Sequence, residues 1–424
     1  MNRNLSNEII GVYKKYPQIF WLLSDTAKKR NFPFTETLWM TVYNTNIKYG
    51  FLYQDNHENY FPENITANES FPISAFSASE VLWNKHLRQT WRLNVTRWDK
   101  NNNNNISIPV VTAWATHALR IASELFIDKA DDIIVPNLYW QNYDIIFNKE
   151  QFVHYSLFDE NQEFNLNALS WLLLWTNQKK VLLLNFPHNP TWYNLSDQEL
   201  KFLCNELKKS CLGWNSIVVI LDNCYEDFSY EQDIIQHSLF ERLSRLDNNL
   251  IVAKCDSFLK STFVWWVRIW FLTLWFLWAD REVLESLENK IWYQILSKVW
   301  NISHLDQVLV DETLNSESFM HERMKNFHTL QNRYKKIKNL LQTESKFNNH
   351  FKYYKFNAAY FFTIKFHTQI AAPVFHAANP EFQTCMTILS ASRIRIAYNW
   401  FDFEGMKALL ENIYEICENK KENT

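Results

Sequence analysis

The chain has 424 residues, 47% of them hydrophobic, which excludes a disordered protein and predicts two domains around a substantial core. Its net charge of −3, from 43 basic and 46 acidic side chains, gives no electrostatic support for a nucleic-acid or anionic-membrane partner. The cysteines (Cys204, Cys211, Cys224, Cys255, Cys385 and Cys417) form no CxxC pair or zinc spacing, and the opening segment lacks a signal peptide's apolar run, so a reducing cytoplasm is expected.

Residues 1–60 read as an N-terminal arm with a turn at Gly50, and 64–72 as a polar loop. Helical spacing of Leu82, Leu87 and Trp91 predicts a helix over 77–91. The asparagine run 101–105 is a loop before the apolar segment 106–111. From there strands and helices alternate. A helix over 115–125 precedes a strand at 133–135, closed by Pro136. A strand at 181–184 is closed by Pro187 and Pro190, and Ser196 with Glu199 forms a capping box opening a helix to about residue 209. Strand 217–221 ends at Asp222, and strand 250–253 leads towards Lys260. Short apolar runs separated by helices predict an α/β fold with a mostly parallel sheet. The run 263–278 falls short of the ~20 residues of a membrane span and contains Arg268, so it is expected to be a turn and a strand. Beyond about 305 the pattern changes: a charged helix over 317–343, strands at 358–366 and 394–398, and a closing helix over 403–419. The division expected is an arm at 1–60, a large domain at 61–305 and a smaller domain at 306–424.

The chemistry concentrates at strand ends. Lys260 follows one apolar strand, with Ser257 before it and Arg268 after it. Asp222 and Tyr225 end a second strand, and Asn189-Pro190-Thr191 a third. An amine, a hydroxyl and a guanidinium near one strand end suit a cofactor with one carbonyl and one phosphate. Ala115 and Thr116 open a helix whose free N–H groups favour an anion. No metal is expected, because His117, His154 and His188 are scattered without ligand spacing.

These segments, in this order, resemble the class I/II pyridoxal-phosphate-dependent aminotransferases over roughly residues 30–415. The resemblance implies a fold-type I PLP-dependent transferase: a large domain with a mostly parallel sheet between helices, plus a smaller α/β domain. It implies a homodimer and ping-pong exchange of an amino group between an amino acid and a 2-oxo acid. Lys260 is then the catalytic amine joined to the cofactor aldehyde. Asp222 faces the pyridine nitrogen, Tyr225 and Asn189 share the ring oxygen, and Trp140 stacks on the ring. Ser257, Arg268, Ala115 and Thr116 hold the phosphate. Arg395 clamps the substrate carboxylate, with Arg393 as competitor on the same strand face. Two alternatives stand beside this: a lyase or decarboxylase with the same cofactor, and a non-catalytic decayed homologue.

One feature departs from the family. The chain has 4 glycines and 19 tryptophans, where a usual glycine share of ~7% would give about 30. Trp114, Trp192, Trp266 and Trp270 stand where the family has glycine, and Trp39 closes a segment that usually ends in glycine. Some bacterial lineages read UGA as glycine, whereas other codes read it as tryptophan. The wealth of Asn, Lys, Ile and Phe suits an AT-rich genome. Mistranslated glycines are expected at these positions; the alternative is a tryptophan-rich decayed homologue.

Overall fold

The computed structural model describes residues 84–96, 105–175, 179–236, 238–262 and 267–421. The expected arm of 1–60, the loop of 64–72, the start of the helix over 77–91, most of the asparagine run, Trp39 and Trp266 lie outside these residues.

Helix α1 (Lys85–Val95) starts where Asn84 accepts the N–H of Leu87. Strand β1 (Val110–Thr112) leads into α2 (Ala115–Phe126), which buries Ala118, Leu119, Ile121, Ala122 and Leu125 at helical spacing. Next come β2 (Ile133–Pro136), the short α3 (Tyr143–Ile146), β3 (Phe152–Tyr155) and α4 (Leu166–Leu174). Strand β4 (Lys179–Asn185) precedes α5 (Asp197–Leu212), whose capping box pairs Ser196 with Glu199. Strand β5 (Ser216–Asn223), α6 (Leu239–Ser244), β6 (Leu250–Ser257), α7 (Phe258–Thr262) and β7 (Trp270–Phe276) complete the first sheet's segment. Part of the run expected to be a turn and a strand is therefore β7, a strand buried along its whole length.

The first sheet has the order β1-β7-β6-β5-β4-β2-β3. Its β2/β3, β2/β4, β4/β5 and β5/β6 pairs are parallel, while β7 runs antiparallel to both β6 and β1. This is the expected α/β architecture. Register then gathers the chemistry. Asn185 pairs with Asp222, Asp222 with Cys255, and Ser257 with Trp270. The reversed β7 thus begins where β6 ends, bringing Arg268 to the carboxyl edge of the parallel strands. Thr112 also pairs with Trp270, so α2 opens at the same edge.

Helices α8 (Arg281–Val299), α9 (His304–Asn315) and α10 (Phe319–Thr343) follow. A second, antiparallel sheet contains β8 (Phe351–Tyr353) and β9 (Phe361–Phe366). After α11 (Ala371–Ala377) and α12 (Pro380–Gln383) come β10 (Met386–Ser390), β11 (Arg393–Ala397) and the closing α13 (Phe403–Lys421). The order is β10-β11-β9-β8. Its own apolar core includes Phe356, Phe362, Ile364, Ile394, Ile396, Leu409 and Leu410. The two sheets are tied by polar contacts: Asn194 N–H donates to Asn357 Oδ1 at 2.6 Å, Asn357 Nδ2 to Asn194 O at 2.9 Å, and Thr363 Oγ1 to Pro190 O at 2.5 Å. No helix among the described residues is long and apolar enough to cross a membrane.

Candidate active site

A cavity of ≈ 470 Å³ opens at the carboxyl edge of the first sheet, where β9 and β11 of the second approach it. It brings together Lys260, Asp222, Tyr225, Asn189, Trp140, Arg268, Ala115 and Arg395 from widely separated segments of the sequence. Thr116 and Ser257 do not line it. Thr116 is half-buried one residue into α2, and Ser257 lines a neighbouring cavity. The Ser257 hydroxyl accepts the Lys260 N–H at 3.2 Å, so it holds the turn that carries the lysine.

Lys260 lies in α7, with Nζ 5.5 Å from the Tyr225 ring centroid. Burial lowers its pKa to about 8; Arg395 and Arg268 push the same way, while Cys224 and Asp222 oppose them. About a tenth of this amine is therefore uncharged at pH 7, far more than for an ordinary lysine, and the uncharged state is the one in which nitrogen is a nucleophile.

Asp222, at the end of β5, is 2% exposed. Burial raises its pKa, and hydrogen bonds from Cys224 and Tyr143 and the charge of Lys260 act against that rise. The Tyr143 hydroxyl donates to Asp222 Oδ2 at 2.6 Å, and the Cys224 thiol donates to Oδ1. Neither donor was expected from the sequence. Tyr143 lies in the aromatic stretch that also holds Trp140, and Cys224 lies between Asp222 and Tyr225, but no local spacing marks either as a partner of the carboxylate. Asn185 adds a third support. Its Nδ2 donates to the Asp222 carbonyl at 2.9 Å, and its Oδ1 accepts the Asn189 N–H at 2.7 Å.

Arg395 Nη1 donates to Asn189 Oδ1 at 3.2 Å, and the guanidinium lies 4.8 Å from the Phe361 ring centroid. Its competitor Arg393 donates instead to the Tyr354 hydroxyl at 2.9 Å and does not line the cavity. The histidines are separate. His188 is buried between Thr191 and the Leu138 carbonyl, His117 Nδ1 accepts the Ala113 N–H, and His154 packs against Tyr139.

The arrangement offers an amine of lowered pKa, a buried carboxylate with two donors and two guanidinium groups, all facing one cavity. The model of the family described as aminotransferase class I and II matches residues 107–397. The chain belongs to the class I and II aminotransferases. An aspartate aminotransferase of Musicola paradisiaca is 29% identical over 136 residues, 31% of this chain and 30% of the relative. A histidinol-phosphate aminotransferase of Methanococcus aeolicus is 27% identical over 131 residues, 30% of this chain and 32% of that one. The chain thus matches about a third of the length of these relatives. Among solved structures, an aminotransferase from Anaerococcus prevotii superposes with a TM-score of 0.69 at 21% identity, covering 93% of this chain and 98% of that one. An aromatic aminotransferase from Pyrococcus horikoshii gives 0.61 at 16% identity, covering 89% and 93%. The fold is that of the fold-type I enzymes.

Class I and II aminotransferases generally carry pyridoxal phosphate, so its fit can be tested on the residues present. At one end of the cavity the donor set fits: Lys260 for an aldehyde, Asp222 for a ring nitrogen, Tyr225 and Asn189 for a ring oxygen. At the other end it does not. The Trp114 indole stacks on the Arg268 guanidinium, 3.7 Å from carbon to ring centroid, and fills cavity space beside the cation. The Trp270 indole walls the same cavity. With these two side chains in place, the phosphate end does not accept the cofactor.

Proposed function

We propose that the chain is a pyridoxal-phosphate-dependent aminotransferase, exchanging an amino group between an L-amino acid and a 2-oxo acid by a ping-pong route. One observation carries this reading: Lys260, Asp222 and Arg268, from three segments, line one cavity in a member of this family. In the glycine form argued below, Lys260 is the covalent attachment point and Asp222 the partner of the ring nitrogen. Tyr225 and Asn189 serve the ring oxygen, and Trp140 the ring face. Ser257, Arg268 and the N–H groups of Ala115 and Thr116 serve the phosphate, and Arg395 the substrate carboxylate. Ser257 can accept the Lys260 N–H and still donate its own O–H, but its side chain lines the neighbouring cavity and reaches this role only by turning towards the Lys260 one. The same reading makes the protein a cytoplasmic homodimer, with a large domain at 61–305, a small one at 306–424 and an arm at 1–60. Six unpaired cysteines support the reducing compartment.

The test uses the chain with Trp114→Gly, Trp192→Gly, Trp266→Gly and Trp270→Gly, mixed with pyridoxal phosphate. The expected result is a yellow protein whose visible band disappears in Lys260→Ala, and which forms pyridoxamine phosphate with an amino donor and returns with 2-oxoglutarate. A colourless glycine form overturns the reading. A coloured one that forms no pyridoxamine phosphate with any amino acid points to a lyase instead.

A further inference from the structure

Among the described residues, six that are not glycine have positive φ, and three of them are tryptophans: Trp192 at φ 67°, Trp214 at 67° and Trp300 at 64°. No described glycine occupies that region. There a Cβ crowds the following carbonyl oxygen, a clash glycine does not have. For a bulky side chain such a conformation is an outlier. Trp214 has a plain structural reason to be left-handed: it follows Gly213 at the end of α5, and helices commonly end on a left-handed residue, usually glycine. Trp300 caps α8 with φ 64° and ψ −60°, outside the αL well and still less suited to a side chain. Both indoles are mostly in solvent, 79% and 59% exposed, so burial does not offset the strain.

The buried tryptophans give a second, independent signal. Trp192 and Trp270 are 0% and 3% exposed, and neither indole N–H meets an acceptor among the described residues. A buried donor without a partner is rare and costly. Other tryptophans here are well accommodated. Trp91 donates to Asp256 Oδ2 at 3.2 Å and stacks on Phe271 at 4.3 Å, and Trp140 sets its ring edge-on to Tyr143 at 5.6 Å. Trp275 also has an unpartnered N–H and, like Trp270, lies in β7, but its indole does not line the cavity that holds Arg268, so it stays outside this assignment.

We propose that the native polypeptide carries glycine at 114, 192, 214, 270 and 300, and tryptophan at 91 and 140. A codon read as glycine in the source cell and as tryptophan by another code produces this pattern in one step. Loss of the indoles at 114 and 270 opens cavity space beside the Arg268 guanidinium for a phosphate. That consequence rests on the aminotransferase reading; the identity of the residues does not.

Tandem mass spectrometry of peptides from the source organism, read beside the gene's codons, is the deciding experiment. Glycine masses with UGA at the five positions, and tryptophan masses with UGG at 91 and 140, are expected. Tryptophan masses at the five, or glycine at 91 or 140, overturn the proposal. A second measurement isolates the backbone argument: Trp214→Gly and Trp300→Gly, both at helix ends, each raise the urea midpoint of the recombinant chain, and an unchanged or lower midpoint counts against it. Tryptophan peptides end this inference without touching the aminotransferase reading. Glycine peptides from a protein that stays colourless with pyridoxal phosphate do the reverse.

Discussion

The Tyr143 hydroxyl donates to Asp222 Oδ2 at 2.6 Å, joining a side chain that follows β2 to the end of β5. Both groups are buried, at 2% exposure each. Burial raises the pKa of each, so the phenol keeps its proton and the carboxylate relies on its donors to stay ionised. Tyr143→Phe leaves one carboxylate oxygen without that donor. A loss of about 1–3 kcal/mol in urea unfolding at pH 7 is expected, the cost of an unsatisfied buried polar group. An unchanged midpoint would mean that Cys224 alone satisfies Asp222.

Lys260 is expected to react as an amine of pKa about 8 in place of the ordinary 10.5, chiefly because it is buried. Modification by an amine-directed reagent, followed by peptide mapping, should give a half-maximal rate near pH 8 at this residue. Arg395→Met removes a neighbouring positive charge and should move that midpoint upwards. A midpoint that stays put separates burial from charge as the operating cause.

In the glycine form, Arg395→Lys should raise KM for the amino acid and the oxo acid alike, on the order of a hundredfold, through loss of a planar two-pronged donor. Arg393→Lys should change KM little, because that guanidinium is engaged with Tyr354. The opposite ranking would hand the carboxylate to Arg393.

Lys254 sits between Glu226 at 2.7 Å and Asp256 at 3.2 Å with 1% side-chain exposure. Lys254→Met leaves two acidic groups without their cation and should cost about 3–5 kcal/mol in stability. The double variant Lys254→Met with Asp256→Asn should recover part of that loss. No recovery would mean that the lysine contributes through packing alone.

His188 and His117 link stability to acid. Burial lowers their pKa values from 6.5 to about 3 and about 4 respectively. The folded state therefore binds fewer protons than the unfolded chain below 6.5. Their stabilisation is complete above that pH and is lost as pH falls towards 4 for His117 and 3 for His188, each with a slope approaching about 1.4 kcal/mol per pH unit. The geometry at His188 agrees: Nε2 donates to the Leu138 carbonyl at 2.9 Å, so neutral Nδ1 is left to accept from the Thr191 hydroxyl at 2.8 Å. Urea midpoints between pH 7 and pH 4.5 should decline less steeply in His188→Gln than in the parent chain.

The parts of the site visible in the sequence are those attached to strong local signals. Asp222, Lys260 and Asn189 each follow an apolar run read as a strand, and all three line the cavity. Strand ends are legible because an apolar run must stop where its backbone leaves the sheet. Helices α8 and α9 were not read. In α8 the buried apolar residues Val283, Leu284, Leu287, Ile291, Trp292 and Ile295 lie on one side, but Glu288, Lys290 and Gln294 are buried with them, which blurs the stripe. Ala359 has φ 54°, and no local pattern in the sequence marks that left-handed backbone.

Taken alone, the order of residues determined the alternation of strands and helices, the α/β class and the amino acids with chemistry to offer, because periodicity and capping act over a few neighbouring positions. Which of those side chains share a cavity was decided in three dimensions. The reversal of β7 carries Arg268 to the same edge as Lys260, parallel register sets Asn185 beside Asp222, and α3 brings the Tyr143 phenol across 79 residues of chain to a carboxylate. It took tertiary packing, too, to separate Arg395 from Arg393, and to lay one indole on a cation and leave others without an acceptor. Such contacts depend on strand pairing and packing between residues far apart in the chain, which no local pattern encodes.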